Sequence, residues 1–194
     1  MTRICFVCGN IYPLLSNRAD LPVIGGAEVQ QYLIAQGLAQ AGFDVSFVSE
    51  DFGQGAEKMA GDFRVLAYQL SSNKLLQAQT LWRALRQADA DIYYVRGLPK
   101  FSALIYLFAR WHRRKLVQAL AHDREVEPEI IQGWAHRLIY RFNFLWRARA
   151  DLVIAQTRFQ AERLRSRWGI AAQIFPSLVS VPPAQAARPA FSVL

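Results

Sequence analysis

Three short stretches carry residues that could do chemistry. The first is Gly25-Gly26-Ala27-Glu28, two glycines opening a helical pattern. A helix N-terminus presents unpaired N–H groups with a partial positive charge, and glycines let a phosphate or sugar approach them closely. The spacing is neither G-x-G-x-x-G nor a Walker loop. The same residues also read as a plain turn, with Glu28 placed to suit the helix dipole. The second stretch is His122-Asp123, which follows the apolar run 116–120. An imidazole at the carboxyl end of a strand stands where doubly wound sheets place functional groups. A structural histidine beside Asp123 is the other reading. The third is Arg96, closing the strand pattern 92–95. Its guanidinium could bind a phosphate or sit in a surface ion pair. Arg124, Glu125 and Glu127 follow His122. A carboxylate among them could position a hydroxyl, but they read first as a solvated loop.

Other chemistries lack the residues they need. The two cysteines, Cys5 and Cys8, stand in one apolar run, and the histidines are His112, His122 and His136. That set offers no zinc site, and no metal ligands are assigned. A strand would turn Cys5 and Cys8 to opposite faces, so both are expected to pack in the core. No carboxylate pair suits glycoside hydrolysis.

Charge narrows the partners. The net charge is +8, and residues 96–168 hold fifteen Lys/Arg against six Asp/Glu. Such a region suits an anionic surface: lipid headgroups, a phosphorylated substrate or nucleic acid. On a helix through 130–149, Ile131, Trp134, Leu138, Phe142 and Leu145 share one face and read as core. Roughly opposite lie Arg137, Tyr140, Arg141, Phe144 and Arg147, a mixture suited to a membrane interface. Arg110, Arg113, Arg114 and Lys115 could extend that patch. A solvated face or a protein contact is the alternative. No nucleic-acid motif accompanies the arginines, so no nucleic-acid partner is expected.

The elements that must position these groups alternate. Strand patterns fall at 4–8, 44–49, 63–70, 92–95, 116–120, 152–155 and 172–175. Helical patterns fall at 27–41, 74–88, 101–111, 129–149 and 158–168. In the helix over 27–41, Val29, Leu33, Leu38 and Ala41 lie near one face. A long loop, 9–24, joins the first strand to the first helix. This alternation predicts an α/β fold: a doubly wound, mostly parallel Rossmann-like sheet with helices on both faces, in three layers. Residues 182–189 have linker composition, and 191–194 resemble the start of another buried strand. The expected division is an N-terminal domain over 1–176 and a hinge over 177–194 leading to a second domain. No stretch is long and apolar enough to span a bilayer, and the start reads as strand, not signal peptide. The protein is therefore expected to be cytoplasmic, with peripheral attachment to the inner membrane face as an option.

Several segments, in order, resemble family 4 glycosyltransferases. Gly25-Gly26-Ala27-Glu28 is similar to the family's Gly-Gly-Ala-Glu loop. Leu38-Ala39-Gln40-Ala41-Gly42-Phe43-Asp44-Val45 is similar to its Leu-Ala-x-x-Gly-His-x-Val stretch, with Phe43 where histidine is common. Residues 91–96, the 115–123 segment ending in His122-Asp123, Ala150-Asp151 before the next strand, and 173–177 continue the likeness. Gln156 or Thr157 replaces the usual serine, and Ser177-Leu178 replaces Asn-Gly at the hinge.

The resemblance implies the N-terminal, acceptor-side half of a GT-B enzyme. That enzyme would transfer a sugar from a nucleotide-sugar with retention of configuration, requiring neither metal nor further cofactor. The donor would bind mainly to the second domain, so this chain alone would be inactive. The acceptor would be a polysaccharide, glycolipid or similar, bound mainly here. His122 would serve catalysis, while Gly25, Gly26, Glu28, Arg96 and Asp123 would bind donor or acceptor. The competing reading is a non-enzymatic module docking on a membrane or partner through its basic face.

Overall fold

The protein is described here by a computed structural model, which covers residues 1–16, 25–97, 101–127, 145–146 and 148–177. Strands are β1 (Arg3–Val7), β2 (Asp44–Glu50), β3 (Glu57–Ala60), β4 (Phe63–Tyr68), β5 (Ile92–Arg96), β6 (Lys115–Ala119), β7 (Leu152–Ala155) and β8 (Gln173–Ile174). Helices are α1 (Ile11–Ser16), α2 (Gly26–Gln40), α3 (Lys74–Ala88), α4 (Ser102–Trp111) and α5 (Arg158–Trp168). A short 3-10 turn covers Asp123–Glu125.

The strands form one sheet in the order β3-β4-β2-β1-β5-β6-β7-β8. Every pairing is parallel except that of β3 with β4. The order reverses at β1, which pairs with β2 on one side and β5 on the other. This is the expected doubly wound α/β sheet.

Helices cover both faces. On one, Leu81, Leu85, Ile105 and Phe108 from α3 and α4 pack on Cys5, Val7, Tyr93 and Val95. On the other, Ile11, Tyr12 and Ala35 from α1 and α2 pack on Phe6, Phe47, Phe63 and Tyr94. Leu164 of α5 joins Leu120, Val153 and Ala155 in a third cluster. Cys5 and Cys8 do lie in opposite clusters, and burial raises both thiols, that of Cys5 to about 12. Thiolate chemistry at neutral pH is thereby suppressed.

The same device holds the amino ends of two strands in register. Asp91, just before β5, accepts from the backbone N–H of Arg3 at 2.9 Å. Asp151, just before β7, accepts from the N–H of Leu116 at 3.0 Å and from Lys115 Nζ at 2.8 Å. The Arg3 N–H holds the Asp91 carboxyl below its usual range against a smaller opposing effect of burial. Burial raises the Asp151 carboxyl, but Lys115 and the Leu116 N–H outweigh it. Ala150-Asp151 therefore braces the sheet at the end away from the carboxyl edge.

Several expectations are corrected. The segment expected as an open loop contains α1, with Ile11, Tyr12 and Pro13 buried. Pro13 hides that helix in the sequence, yet in a first turn its missing N–H costs nothing. Strand β3 was not foreseen; Glu57, Lys58 and Met59 are exposed at the edge, Ala60 is buried, and the strand is held by pairing with β4. The buried face of α2 runs through Gln31 and Ala35, whereas Val29 is exposed. Of the helix expected over 129–149, only Leu145, Trp146, Ala148 and Arg149 are described. Leu145 is exposed, not core. Arg137, Tyr140, Arg141, Phe144 and Arg147, and the hinge beyond Ser177, lie outside the described residues.

Candidate functional site

Where the strand order reverses, the helices on either side diverge and leave a crevice outside the carboxyl ends of the strands. A cavity of about 430 Å³ occupies that place. Its floor is the end of β1, from Val7 through Asn10, with Glu50 closing β2, Tyr68 closing β4 and Arg96 closing β5. The first turns of α2 and α4 and part of α3 supply the walls.

Polar atoms on this wall are unevenly satisfied. Gln31 is 3% exposed, yet its Oε1 has no hydrogen-bond partner among the described residues. Its Nε2 makes a long bond to the Ala27 carbonyl, 3.5 Å. A buried amide oxygen without a partner is costly, so its presence calls for a reason. Arg96 Nε is likewise buried and unpartnered among the described residues. Burial pushes the Tyr94 phenol up, and the Arg96 guanidinium beside it works against that rise. Tyr68 Oη donates to Glu50 Oε1 at 3.2 Å. Burial first, then the Glu50 charge, holds the Tyr68 phenol protonated far above neutral pH.

The backbone around the cavity explains its shape. The Ser49 hydroxyl and the Glu50 N–H both donate to the Gly9 carbonyl, at 2.8 and 2.9 Å, binding the ends of β1 and β2 together. A Cβ on Gly9 would stand 3.2 Å from Glu50 Oε1, so the Glu50 side chain lies across a position that only glycine leaves open. Gly25 is the N-cap of α2 in an extended conformation. A Cβ there would come within 2.7 Å of Glu28 Oε2, because the Glu28 carboxylate folds back over it. Gly26 meets nothing within 4 Å and has no positive φ. Neither crowding nor backbone conformation demands glycine at 26, which leaves its backbone accessible.

The expected site residues fall into two groups. Glu28 and Arg96 line the cavity, and Gly25 and Gly26 stand at its rim beside Glu28. His122 and Asp123 do not line it; they follow β6, the strand beyond β5, on the same sheet edge. Glu125 fixes their loop. It is 5% exposed, and its Oε1 accepts from the N–H groups of Ala121 and His122 at 3.0 and 3.1 Å. Glu125 is thus a buried brace, not a solvated loop carboxylate. The His122 side chain is exposed, while Asp123 accepts from Gln160 Nε2 at 2.8 Å. Gln156 Nε2 donates to the Leu120 carbonyl at 2.7 Å, and the Ser177 hydroxyl donates to Gln156 Oε1 at 2.8 Å. The end of β7 therefore ties the His122 strand to the start of the expected hinge. Gln31, Glu50 and Tyr68 were missed. Each sits in an otherwise structural pattern, and only the charge of Glu50 at a strand end could have signalled it.

Among the described residues, no cluster of three His, Cys, Asp or Glu side chains could hold a metal. No helix of the described residues is long and apolar enough to cross a membrane.

A doubly wound sheet with a polar cavity over its switch point places this chain among the Rossmann-like domains. Its lineage is visible in the sequence. The pattern of Glycosyltransferase Family 4 matches residues 24–177, and the chain belongs to that family. No curated protein matches it in sequence. Among solved structures it is similar to a sucrose-phosphate synthase from Thermosynechococcus elongatus, at 14% identity and TM-score 0.62, over 91% of this chain and 48% of that one. It is also similar to Arabidopsis thaliana UGT89C1 complexed with UDP, at 10% identity and TM-score 0.57, over 93% and 50%. UGT89C1 complexed with quercetin matches at 11% identity and TM-score 0.54, over 94% and 52%. The shared fold is the Rossmann-like half of the GT-B architecture, and the chain spans about half the length of the structures it matches.

Proposed function

We propose that this chain is the acceptor-side half of a retaining glycosyltransferase that moves a sugar from a nucleotide-sugar to an acceptor such as a polysaccharide or glycolipid. The acceptor sits in the cavity at the strand-order reversal. The observation that carries this reading is the open amide oxygen of Gln31 within a wall that also holds Glu28, Glu50 and the Arg96 Nε–H. A polyhydroxylated ligand supplies a donor to Gln31 Oε1 and an acceptor to Arg96 Nε, neither of which has a partner among the described residues. Gly25 and Gly26 let donor or acceptor approach the N-terminus of α2. His122, held by Glu125, hydrogen-bonds a hydroxyl of the donor sugar, and Asp123 anchors the same loop. The nucleotide is bound mainly by a second domain, and chemistry follows closure of the two.

The test is complementation. The chain alone binds acceptor sugar without turning over a nucleotide-sugar, and joining it to its second half restores transfer. His122→Ala in the joined protein lowers kcat with folding intact. Turnover by the isolated chain at the full rate refutes the division of labour. So does an unchanged kcat for the His122 variant with respect to that residue.

A second reading concerns location, and it too has an observation behind it. On α4, Leu107 is 47% and Trp111 81% exposed, and Leu145 nearby is 53% exposed. Tyr106 stacks with Trp146 at 5.1 Å, and Arg149 lies over the Trp146 ring at 5.7 Å, which brings the two segments together. Arg110 and Arg113 flank Trp111 and are exposed. An exposed tryptophan among arginines suits the interface of an anionic bilayer. We infer peripheral attachment to the cytoplasmic membrane face through this patch. Co-sedimentation with phosphatidylglycerol vesicles, absent with neutral vesicles and weakened by Trp111→Ala, supports it; no binding to either vesicle removes it.

A further inference from the structure

Building on the reading that His122 meets the donor sugar, we propose that Gln156 and Gln160 are positioning residues for His122, and that through Gln156 the setting of the His122 loop depends on Ser177, where the chain enters the expected hinge. The loop reaches the surface, with His122, Asp123 and Arg124 exposed. It is nevertheless tied at each residue from Leu120 to Asp123. The Leu120 carbonyl accepts from Gln156 Nε2 at 2.7 Å. The N–H groups of Ala121 and His122 donate to Glu125 Oε1 at 3.0 and 3.1 Å. Asp123 Oδ1 accepts from Gln160 Nε2 at 2.8 Å. Surface loops are ordinarily the mobile part of a fold. Side chains that lock a loop from behind are what a site needs when one group must keep a fixed orientation. The group so placed here is the His122 imidazole.

Local helix chemistry does not account for the two glutamines. Helix α5 needs an N-cap, and Thr157 supplies it: its hydroxyl accepts from the Gln160 N–H at 3.2 Å. Gln160 Oε1 accepts from the Gln156 N–H at 2.7 Å, much as a third-position glutamine does in a capping box. The remaining bonds run at long range. Gln160 is 2% exposed, and its Nε2 crosses to Asp123, 37 residues away. Gln156 stands before the cap. Its Nε2 holds Leu120 on one side, and its Oε1 accepts from the Ser177 hydroxyl at 2.8 Å on the other. Both ends of one planar amide are therefore engaged. A displacement of Ser177 turns that amide against the Leu120 carbonyl, and the Gln156 N–H carries it to Gln160 and Asp123. The two routes arrive on either side of His122. A site that acts only after two domains close gains from a group whose setting follows the hinge.

The experiment is a double-mutant cycle between Ser177→Ala and Gln156→Met, read twice. In the isotope-labelled 194-residue chain, Ser177→Ala removes one hydrogen bond from an exposed residue. It is expected to shift the amides of Ala121, His122 and Asp123 and the ring signal of His122, which the spectrum of His122→Ala assigns. In a Gln156→Met background the same substitution is expected to shift none of them. Gln160→Met is expected to move Asp123 and the His122 ring. If that buried substitution does not fold, Gln160→Glu, which keeps an acceptor for the Gln156 N–H, takes its place. In the joined protein each substitution lowers kcat by about twofold to tenfold, the worth of one ordinary hydrogen bond. The acceptor KM stays unchanged, and Ser177→Ala adds nothing once Gln156 is methionine. Loop signals that ignore Ser177→Ala, or that respond equally in both backgrounds, overturn the proposal. So does a folded Gln160 variant with an unmoved His122 ring, or a fall in kcat that is additive. The two readings fail separately. An unchanged kcat for His122→Ala removes the role of His122 and this proposal with it, whereas a lowered one beside unmoved loop signals removes only the coupling.

Discussion

Replacing Gln31 by methionine should make the protein more stable and less able to bind its ligand. Gln31 is buried on α2 with its Oε1 unsatisfied among the described residues; its Nε2 makes a long bond to the Ala27 carbonyl, and the side chain also lies against the Cys8 thiol. An orphaned buried acceptor costs about 1–3 kcal/mol, and a hydrogen bond of ordinary quality contributes about 0.5–1.5 kcal/mol net. A bond of 3.5 Å belongs at the low end of that range. Methionine keeps the unbranched length of glutamine and the helix propensity, and it discards both the orphan and the weak bond. The difference favours the variant by about 1 kcal/mol. For a domain of this size that raises Tm by about 2–4 °C. The same substitution removes an acceptor that a bound sugar would use, so glucoside binding should weaken by about tenfold, the cost of one unmade hydrogen bond to a buried group. Calorimetry and a titration of the chain's amide shifts with methyl glucoside and with glucuronate read the two effects separately. A loss of Tm would show that Gln31 serves the fold, and unchanged binding would show that the oxygen is not aimed at a ligand. Stability gained at the expense of binding is the signature of a functional compromise.

Other substitutions test the remaining elements of the site. Gly26→Ala meets nothing within 4 Å, so it should leave Tm unchanged or raise it by about 1–2 °C through helix propensity, while lowering ligand affinity; thermal melts with titration decide it. Gly25→Ala should instead displace the Glu28 carboxylate, altering binding of charged and neutral probes unequally in the same titration. Asp91 and Asp151 have folded carboxyl pKa values below their unfolded ones. Their contribution is therefore complete at neutral pH, begins to fall near the unfolded value of about 4, and is lost as pH drops below that through the lowered folded values. Urea midpoints measured from neutral to acid pH should drop steeply there for the wild type, and more shallowly for Asp91→Asn with Asp151→Asn. Glu125→Gln should preserve the fold but loosen the His122 loop, seen as faster amide exchange at Ala121 and His122.

Where one period dominated, the sequence was readable to the residue. Lys74–Ala88, Leu152–Ala155 and Arg158–Trp168 form as the patterns predict, because each has an apolar face and a clear stop such as Gly169 in its left-handed turn. Two elements failed for identifiable reasons. Helix α1 is short and contains Pro13, and strand β3 gains its order from β4 and not from its own residues. The cavity was half legible. Gly25, Gly26, Glu28 and Arg96 stood out by type and by place at element ends. Gln31 did not, because a glutamine in mid-helix reads as surface. Only the packing of α2 against β1 shows that it faces inward.

The paired aspartates separate what holds this fold from what it does. Ala90-Asp91 and Ala150-Asp151 look like motif residues, and in the sequence only position along the strand distinguishes them from His122-Asp123. All precede or follow a strand, but the side of the strand decides their work. An aspartate just before a strand sits at the amino edge, where it can accept from the first N–H groups of the neighbouring strand, and there Asp91 and Asp151 do so. The carboxyl edge has other groups to satisfy. There the chain turns into helices, glycines bring backbone close to open space, and Gln31 and Arg96 carry polar atoms without a partner among the described residues. His112 Nε2, at the end of α4, is also buried without a partner among the described residues, so open polar atoms occur toward both edges; what gathers at the amino edge is the set of ion pairs that Arg3, Arg114 and Lys115 make with Asp91 and Asp151. The aspartates that brace the strand starts and the side chains that line the cavity thus stand at opposite ends of the same strands, Asp91 before β5 and Arg96 closing it.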